Sequence, residues 1–279
     1  MIPRDNGKGL ITRTVKRYTL ASGHSVSKDL VTVEEPLEIK VKNKSMQTFL
    51  IAYIMRTPGM DDYHAVGFLY SEGIIQSKSD ILGFEGVDSN GVSASNSLTV
   101  LVPDRLPVDL STIQRKFFVN SSCGICGKAN INDIFLRTSG MQRSECTVQA
   151  ETILLLPAIM RSRQNIFSVT GGIHAAALFT LQGKLIAVAE DIGRHNAVDK
   201  IVGYMLMNGL VNHDFVLQVS GRAGFEIIQK AAFAGIPIIS SISAPSSLAI
   251  ETCEALGLTL ACFVREDRFS VYSHGQRII

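Results

Sequence analysis

Two different hydrophobic patterns divide the chain. In the first part, apolar residues at 37–41, 48–54 and 97–102 follow the pattern of strands, and residues 61–72 place their apolar positions on one helical face. This mixture predicts a small α+β domain over residues 1–112.

In the second part, helical and strand-like patterns alternate. A helix at 151–163 is followed by a hairpin of strands 174–180 and 185–189, turning at Gln182-Gly183. A helix then runs from Asn196 to the Asn208-Gly209 stop signal. The remaining elements are strands 215–219, 236–240 and 259–264 with helices 225–234 and 247–256 between them. Because parallel strands need crossover helices, this order predicts an α/β domain over residues 146–279. We expect this domain to have three layers with a mixed sheet, in which the hairpin forms an antiparallel edge.

A polar stretch separates the two patterns. Residues 113–145 are rich in Ser, Asn, Gly and charge, and they contain Cys123 and Cys126 in the sequence SSCGICGK. We interpret this stretch as a flexible loop or linker that carries the cysteine pair.

Composition and charge exclude several classes of protein. The 279 residues are 46% hydrophobic, and 27 basic side chains against 25 acidic ones give a net charge of +2, which favours neither nucleic acid nor an anionic membrane as partner. The longest apolar runs are too short for a membrane helix. The basic residues near the start are followed by no apolar run, so we expect a solvated leader and not a signal peptide.

The cysteine count indicates a reducing compartment. Five cysteines are an odd number in a chain too long to need disulfides, so the cytoplasm is the expected location. Cys253 and Cys262 stand in apolar patterns and are expected to be buried.

Three similar turns follow predicted strands, at 190–196, 220–224 and 243–247. Each leads into a helix N-terminus, where free N–H groups and the helix dipole favour an anion. Any one of them could be an ordinary capped turn with a surface arginine. Together, on the sheet edge where α/β proteins bind ligands, and with Arg194 and Arg222 among them, they predict a phosphate-bearing ligand.

The C-x-x-C pair at Cys123 and Cys126 allows three chemistries. A redox dithiol usually begins a helix, which Gly124 and Gly127 disfavour. A zinc knuckle, which would make the chain a zinc-stabilised binding module, needs a second ligand pair; the sequence has none, so Cys146, His174 or a partner subunit would have to complete the site. A sulfur-carrying thiolate would suit a glycine-flanked loop beside Lys128.

The element order of the second part also looks like the cytidine-deaminase architecture, which makes a deaminase a further candidate. Deaminase chemistry requires H-x-E and P-C-x-x-C at two helix starts. The corresponding residues here are His195-Asn196-Ala197 and Ser220-Gly221-Arg222, so the zinc machinery of that reaction is missing.

Several stretches, taken in order, resemble the formate dehydrogenase accessory sulfurtransferases, the FdhD family, along nearly the whole chain. They are EEPLEI (34–39), TPG (57–59), GFL (67–69), SEGII (71–75), SCGICG (122–127), TGGIHAAA (170–177), EDIGRHNAVDK (190–200), SGR (220–222) and SAP (243–245). Departures from the family pattern are Gly224, where the family usually has Ser or Thr, and Ser246, where Thr is common.

The resemblance implies a sulfur carrier with a cytidine-deaminase-like fold in its second part. Cys123 would carry a persulfide received from a cysteine desulfurase, with Cys126 as partner thiol. The acceptor would be the molybdenum or tungsten bis-molybdopterin guanine dinucleotide cofactor of formate dehydrogenase, with guanine nucleotides as ligand analogues and no zinc. The protein is expected to be a homodimer. The expected cofactor-binding residues are Arg194, His195, Ser220, Gly221, Arg222, Ser243, Phe263, Val264, Arg265, Glu266, Asp267 and Arg268.

Overall fold

The computed structural model describes residues 9–21, 23–104, 106 and 145–279, so Cys123 and Cys126 lie outside the described residues. The first described part contains β1 Leu10–Thr19, β2 Gly23–Thr32, β3 Glu35–Asn43, β4 Thr48–Arg56, α1 Asp61–Ser71, β5 Gly83–Glu85 and β6 Ser97–Val102. The second contains α2 Ala150–Arg161, α3 Asn165–Thr170, β7 His174–Thr180, β8 Leu185–Asp191, α4 Arg194–Met207, β9 Phe215–Val219, α5 Phe225–Phe233, β10 Ile238–Ser241, α6 Ser247–Leu256, β11 Thr259–Cys262 and β12 Ser270–Ser273.

The second part forms a six-stranded mixed sheet in the order β12-β11-β10-β9-β7-β8. The β7–β8 hairpin is antiparallel and occupies one edge, while β9, β10 and β11 are parallel to one another. These features confirm the predicted mixed α/β arrangement with a hairpin edge. The prediction did not include β12, which pairs antiparallel with β11 at the opposite edge.

Both faces of this sheet are buried, which explains the continuous apolar runs of its strands. Successive residues of β7 point to opposite faces, so that Ala175, Ala177 and Phe179 pack with α2 while Ala176 and Leu178 pack with the helices on the other side. The sheet is therefore the middle layer between α2 on one face and α4, α5 and α6 on the other.

The first part adds a four-stranded mixed sheet, in the order β4-β3-β6-β5, and helix α1. Helix α1 lies directly against α4, and two glycines permit this close approach. A Cβ atom at Gly67 would fall 1.9 Å from the Asp199 carbonyl oxygen, and one at Gly203 would fall 1.9 Å from the Tyr63 carbonyl oxygen. Buried side chains of both sheets share one hydrophobic cluster, so α4 is held from both sides.

The N-terminal region differs from the sequence prediction. Instead of a solvated leader, Arg13, Lys16 and Arg17 belong to β1, which pairs along its whole length with β2. Neither strand shows the alternation of a half-buried strand, because most of their side chains on both faces are exposed. The division of the chain into domains at residues 112 and 145 stays a prediction, and its middle segment falls almost wholly outside the described residues.

The described helices give no membrane span, because none of them combines the length and the apolarity that a crossing requires.

Candidate functional site

The carboxyl ends of β8, β9, β10 and β11 and the beginning of β7 meet at one edge of the six-stranded sheet. Helices α4, α5 and α6 begin at this edge, capped by Gly193, Gly224 and Ser246. The Ser246 hydroxyl accepts a hydrogen bond from the Ala249 N–H at 3.2 Å. The three predicted turns therefore lie side by side, as the element order indicated.

Backbone hydrogen bonds join the second and third turns. The Ala223 N–H donates to the Ala244 carbonyl at 3.1 Å, and the Ser246 N–H donates to the Ala223 carbonyl at 3.0 Å. The Ser241 hydroxyl bonds the Gly221 carbonyl at 2.8 Å, and its own carbonyl accepts from Val264 N–H at 3.1 Å. The loop after β11 is thereby fixed to the same surface.

Gly221 allows the first and second turns to approach the start of β7. A Cβ atom at this position would lie 3.2 Å from His174 Nδ1 and 3.3 Å from the Cβ of Arg194. Such contacts are tight, so a larger residue would push the two turns apart. The structure thus brings Arg194, His174 and the Ser220-Gly221 turn into one surface.

An open cleft of about 720 Å³ lies at this edge, between the α2–α3 region and the loops that follow β9, β10 and β11. Four of the predicted cofactor-binding residues line it: Ser220, Val264, Arg265 and Glu266. Its other lining residues are Leu154, Pro157, Ala158, Arg161, Gln164, Phe167, Gly171, Gly172, Ile173, His174, Ile192 and Ile242. Its volume is that of a pocket for a small organic ligand.

The remaining predicted residues flank the cleft without lining it. Arg194 and Arg222 are exposed at the turns, and Ser243 is partly buried. Asp267 and Arg268 are also exposed, and their side chains approach each other only to 3.4 Å. Phe263 is 41% exposed in the left-handed backbone region, with φ of 54°.

Arg265 holds the cleft wall together. Its Nη1 donates to the Ile242 carbonyl at 2.6 Å and to its own neighbour, the Val264 carbonyl, at 2.9 Å. These two bonds tie the loop after β11 to the loop after β10 while the guanidinium remains exposed at the cleft. A cation in this position favours an anionic ligand.

The chain is similar to known proteins in both sequence and fold. Residues 32–279 match the model of the FdhD/NarQ family. The chain belongs to the FdhD/NarQ family. It is similar to the sulfur carrier protein FdhD of Thermoplasma volcanium, with 54% identity over 96% of this chain and 95% of the relative. It is also similar to that of Saccharolobus solfataricus, with 42% identity over 95% and 98% of the two chains.

A solved structure from Desulfotalea psychrophila, described as a formate dehydrogenase accessory protein, shares the fold. It aligns with a TM-score of 0.74 at 22% identity, covering 97% of this chain and 99% of that one. The likeness confirms the mixed α/β fold of the described residues.

Two histidines at the cleft edge of this FdhD/NarQ member are held neutral. Burial, followed by the positive charge of Arg194, lowers the pKa of His174. Burial, with Arg194 and Lys230 next in importance, lowers the pKa of His195 to about 3. His195 Nε2 lies 3.2 Å from Glu226 Oε2, and burial raises the pKa of that carboxyl group. At neutral pH the imidazole of His195 is therefore neutral, and its contact with Glu226 is not an ion pair.

A buried network fixes the first turn of the family motif. Asp191 Oδ1 accepts from the Gly193 N–H and from Asn196 Nδ2, each at 2.8 Å. Its Oδ2 lies 2.7 Å from Lys200 Nζ, which also donates to the carbonyls of Thr57 at 2.9 Å and Glu190 at 3.1 Å. The turn that carries Arg194 and His195 is therefore bound to the end of β4 through charged, fully buried groups.

Sequence reasoning missed the α2–α3 wall of the cleft. Of that wall, only the glycine turn and His174 fall in a stretch that resembled the family, TGGIHAAA. Arg161, Gln164 and Phe167 carry no motif, since nothing in a helical pattern tells which residue will face a neighbouring sheet edge. Cys123 and Cys126 lie outside the described residues. Among the described residues, no group of three or more His, Cys, Asp or Glu side chains could hold a metal ion.

Proposed function

We propose that this protein is a sulfur carrier that serves formate dehydrogenase. The observation that carries the proposal is the identity of 54%, over nearly the full length of both chains, with a protein named sulfur carrier protein FdhD. The C-x-x-C pair supplies the thiols that such a function requires.

The sulfur would be carried on Cys123. Its thiolate attacks the outer sulfur of a persulfide on a cysteine desulfurase, so that an S–S bond forms on Cys123 as the donor's S–S bond breaks and the donor leaves as a thiolate. No net oxidation or reduction occurs. Cys126, three residues away, is the partner thiol in receiving or releasing the sulfur.

The buried cysteines of the described part are poor candidates for this chemistry. Cys253 and Cys262 are both inaccessible, as predicted, and burial raises the pKa of each thiol to about 12. Since the thiolate is the nucleophile, neither would react at neutral pH.

The acceptor would be the molybdenum or tungsten cofactor that carries two guanine dinucleotides, bound as a substrate at the strand-end edge. Three helix N-termini and the cations of Arg194, Arg222 and Arg265 favour its phosphates. The cleft volume of about 720 Å³ suits one nucleotide-bearing arm of this cofactor. The second arm would be held by a second copy of the chain, in keeping with the expected homodimer.

The partners follow from the same proposal. A cysteine desulfurase would load the sulfur, and the catalytic subunit of formate dehydrogenase would receive the sulfurated cofactor, all in the cytoplasm. We also propose that the six-stranded sheet descends from a cytidine-deaminase-like fold whose zinc pocket became a nucleotide pocket. Superposition on solved deaminases would test that relationship.

The test is intact-protein mass spectrometry after incubation with a cysteine desulfurase and cysteine, followed by peptide mapping. We expect a gain of one sulfur atom on the SSCGICGK peptide, removed by reductant and abolished in Cys123→Ser. Cys146→Ser, which leaves the C-x-x-C pair intact, is the matched control and should load normally. Absence of sulfur uptake together with stoichiometric zinc would instead support a zinc-stabilised binding module.

A further inference from the structure

One side of the cleft contains a flat, charged surface that no motif predicted. The guanidinium of Arg161, at the end of α2, lies 3.5 Å from the centre of the Phe167 ring in α3. Both residues line the cleft, and Arg161 is exposed while Phe167 is partly buried. Stacking on Phe167 keeps the guanidinium plane in place, so that its other face can receive a second planar group.

A buried amide lies in the same wall. Gln164 lines the cleft although it is only 4% exposed. Its side-chain nitrogen has no hydrogen-bond partner among the described residues. A buried donor without a partner is unfavourable, so this amide has a reason to bind an acceptor. The last torsion of a glutamine side chain is broad and roughly two-fold, so a small rotation can turn the N–H groups to an acceptor in the cleft.

The backbone beneath this surface is fixed by the strand-end edge itself. Both carboxylate oxygens of Glu190, at the end of β8, accept backbone hydrogen bonds from α3, from Ile166 N–H at 2.9 Å and from Phe167 N–H at 2.8 Å. Glu190, the first residue of the turn that carries Arg194, therefore also fixes the backbone of Phe167. The Glu190 side chain therefore fixes the position of the stacking surface relative to the anion-binding turns.

We propose that Arg161, Gln164 and Phe167 form a base-recognition subsite, in which a nucleobase stacks on the Arg161 guanidinium and accepts a hydrogen bond from the Gln164 amide. This inference rests on the proposed function, because it takes the nucleotide arm of the acceptor as the ligand. The cleft then has two ends with different chemistry. The turns at the strand ends bind phosphate, and the α2–α3 wall binds the planar base.

The experiment measures two affinities on the full-length protein by isothermal titration calorimetry, one for guanosine diphosphate and one for inorganic pyrophosphate, which lacks the base. The test variants are Arg161→Ala and Gln164→Met, the latter keeping the side-chain length without the amide. Arg163→Ala is the matched control, since Arg163 is an exposed arginine that follows the same helix and does not line the cleft. Circular dichroism verifies that each variant is folded.

We expect each test variant to bind guanosine diphosphate about tenfold more weakly, the loss typical of one stacking or hydrogen-bond contact to a base, with pyrophosphate affinity unchanged. Unchanged diphosphate affinity in both variants would overturn the subsite and leave the proposed function intact. An equal loss for both ligands would also overturn it, because the residues would then act on the phosphates or on the fold. If the unaltered protein binds neither ligand, the proposed nucleotide site itself is wrong.

Discussion

Adjacent carboxylates at the beginning of α1 have opposite environments. Asp61 is fully buried and forms a two-pronged contact with Arg56, whose Nε and Nη2 lie 3.0 Å from its two oxygens. No cation in the described part of the chain forms such a contact with Asp62. Its carboxylate lies against Gly91, where a Cβ atom would come within 2.3 Å of Oδ1. Burial, with the charges of Asp61 and Asp88 as lesser causes, raises the pKa of Asp62 to about 6.

This raised pKa makes the stability depend on pH in a defined direction. Because the folded state holds the Asp62 proton more tightly than the unfolded state, the resulting stabilisation is complete below the unfolded pKa of 3.8 and is lost as the pH rises through about 6. We expect Asp62→Asn to raise the free energy of unfolding at neutral pH by about 1–2 kcal/mol and to have little effect near pH 4. Urea denaturation at both pH values measures the difference.

The matched control for this prediction is Asp214→Asn, which removes an exposed carboxylate. It should leave the difference between the two pH values nearly unchanged. An Asp62→Asn protein with the same gain at both pH values, or with none, would contradict the assigned environment of Asp62.

At the scale of elements, α4 is the helix on which the site depends. It carries Arg194 and His195 at its first turn, and Lys200 one and a half turns later bonds Asp191 and two backbone carbonyls in the buried network. The attraction within a buried ion pair adds little net stability, because burying the two charges is itself costly. Removing one partner is strongly destabilising, since it leaves a buried charge without its counter-ion.

Replacement of Lys200 by methionine should therefore destabilise the protein strongly. We expect a loss of about 3–5 kcal/mol in the free energy of unfolding, because Asp191 loses its cationic partner and the carbonyls of Thr57 and Glu190 lose a donor. Thermal and urea denaturation measure it. Lys184→Met, at an exposed turn of the β7–β8 hairpin, should change the stability by less than about 0.5 kcal/mol. A comparable loss in both variants would show that the network has no special role.

Helix α5 offers a prediction of opposite sign. Its N-cap is Gly224, which has the extended backbone angles φ of −92° and ψ of 170° and makes no side-chain hydrogen bond to the helix. There is open space where a Cβ atom of this residue would lie. Gly224→Ser should add a cap and restrict the unfolded chain, raising the free energy of unfolding by about 0.5–1 kcal/mol. The control Gly235→Ser places a side chain at φ of 71° against Asn212 and should destabilise instead. A rise in thermal midpoint only for the first variant is the expected result.

At the scale of the whole molecule, the β1–β2 hairpin is peripheral to the fold. None of the described residues between 10 and 32 is buried, and the match to the FdhD/NarQ family begins at residue 32. Its contacts with the rest include the Thr32 hydroxyl, which lies 3.1 Å from the Thr170 hydroxyl beside the cleft. An isolated two-stranded hairpin is marginally stable, so it depends on the body of the protein and not the reverse.

A chain that begins at Thr32 should therefore fold. We expect cooperative thermal unfolding with a loss of at most about 2 kcal/mol, measured by circular dichroism. A chain that begins at Lys40, which also removes the buried Leu37 and Ile39, should not fold, because that deletion opens the shared core. Failure of the first chain to fold would mean that the hairpin is part of the cooperative unit.

The amino-acid sequence by itself determined the helices and strands that have a clear hydrophobic periodicity. The parallel strands β9, β10 and β11, with helices α5 and α6 between them, follow from hydrophobic periodicity and turn residues, and so does the shared edge of the three turns. The order of motifs around these elements also indicated the family to which the chain belongs. The exposed β1–β2 hairpin was not predicted, because a strand with two solvated faces has no alternating hydrophobic pattern.

Only the tertiary structure decided which residues share the cleft and which charges are buried together. Phe167 and Gln164 line the same cleft as Ser220 and Arg265, although 53 to 101 residues separate them along the chain. Lys200 reaches Asp191 and Thr57 from α4, the helix that packs closely against α1 at two glycines. Such contacts depend on helix placement and sheet order, which hydrophobic periodicity does not encode, since it records only whether a position is buried and not which neighbour it faces.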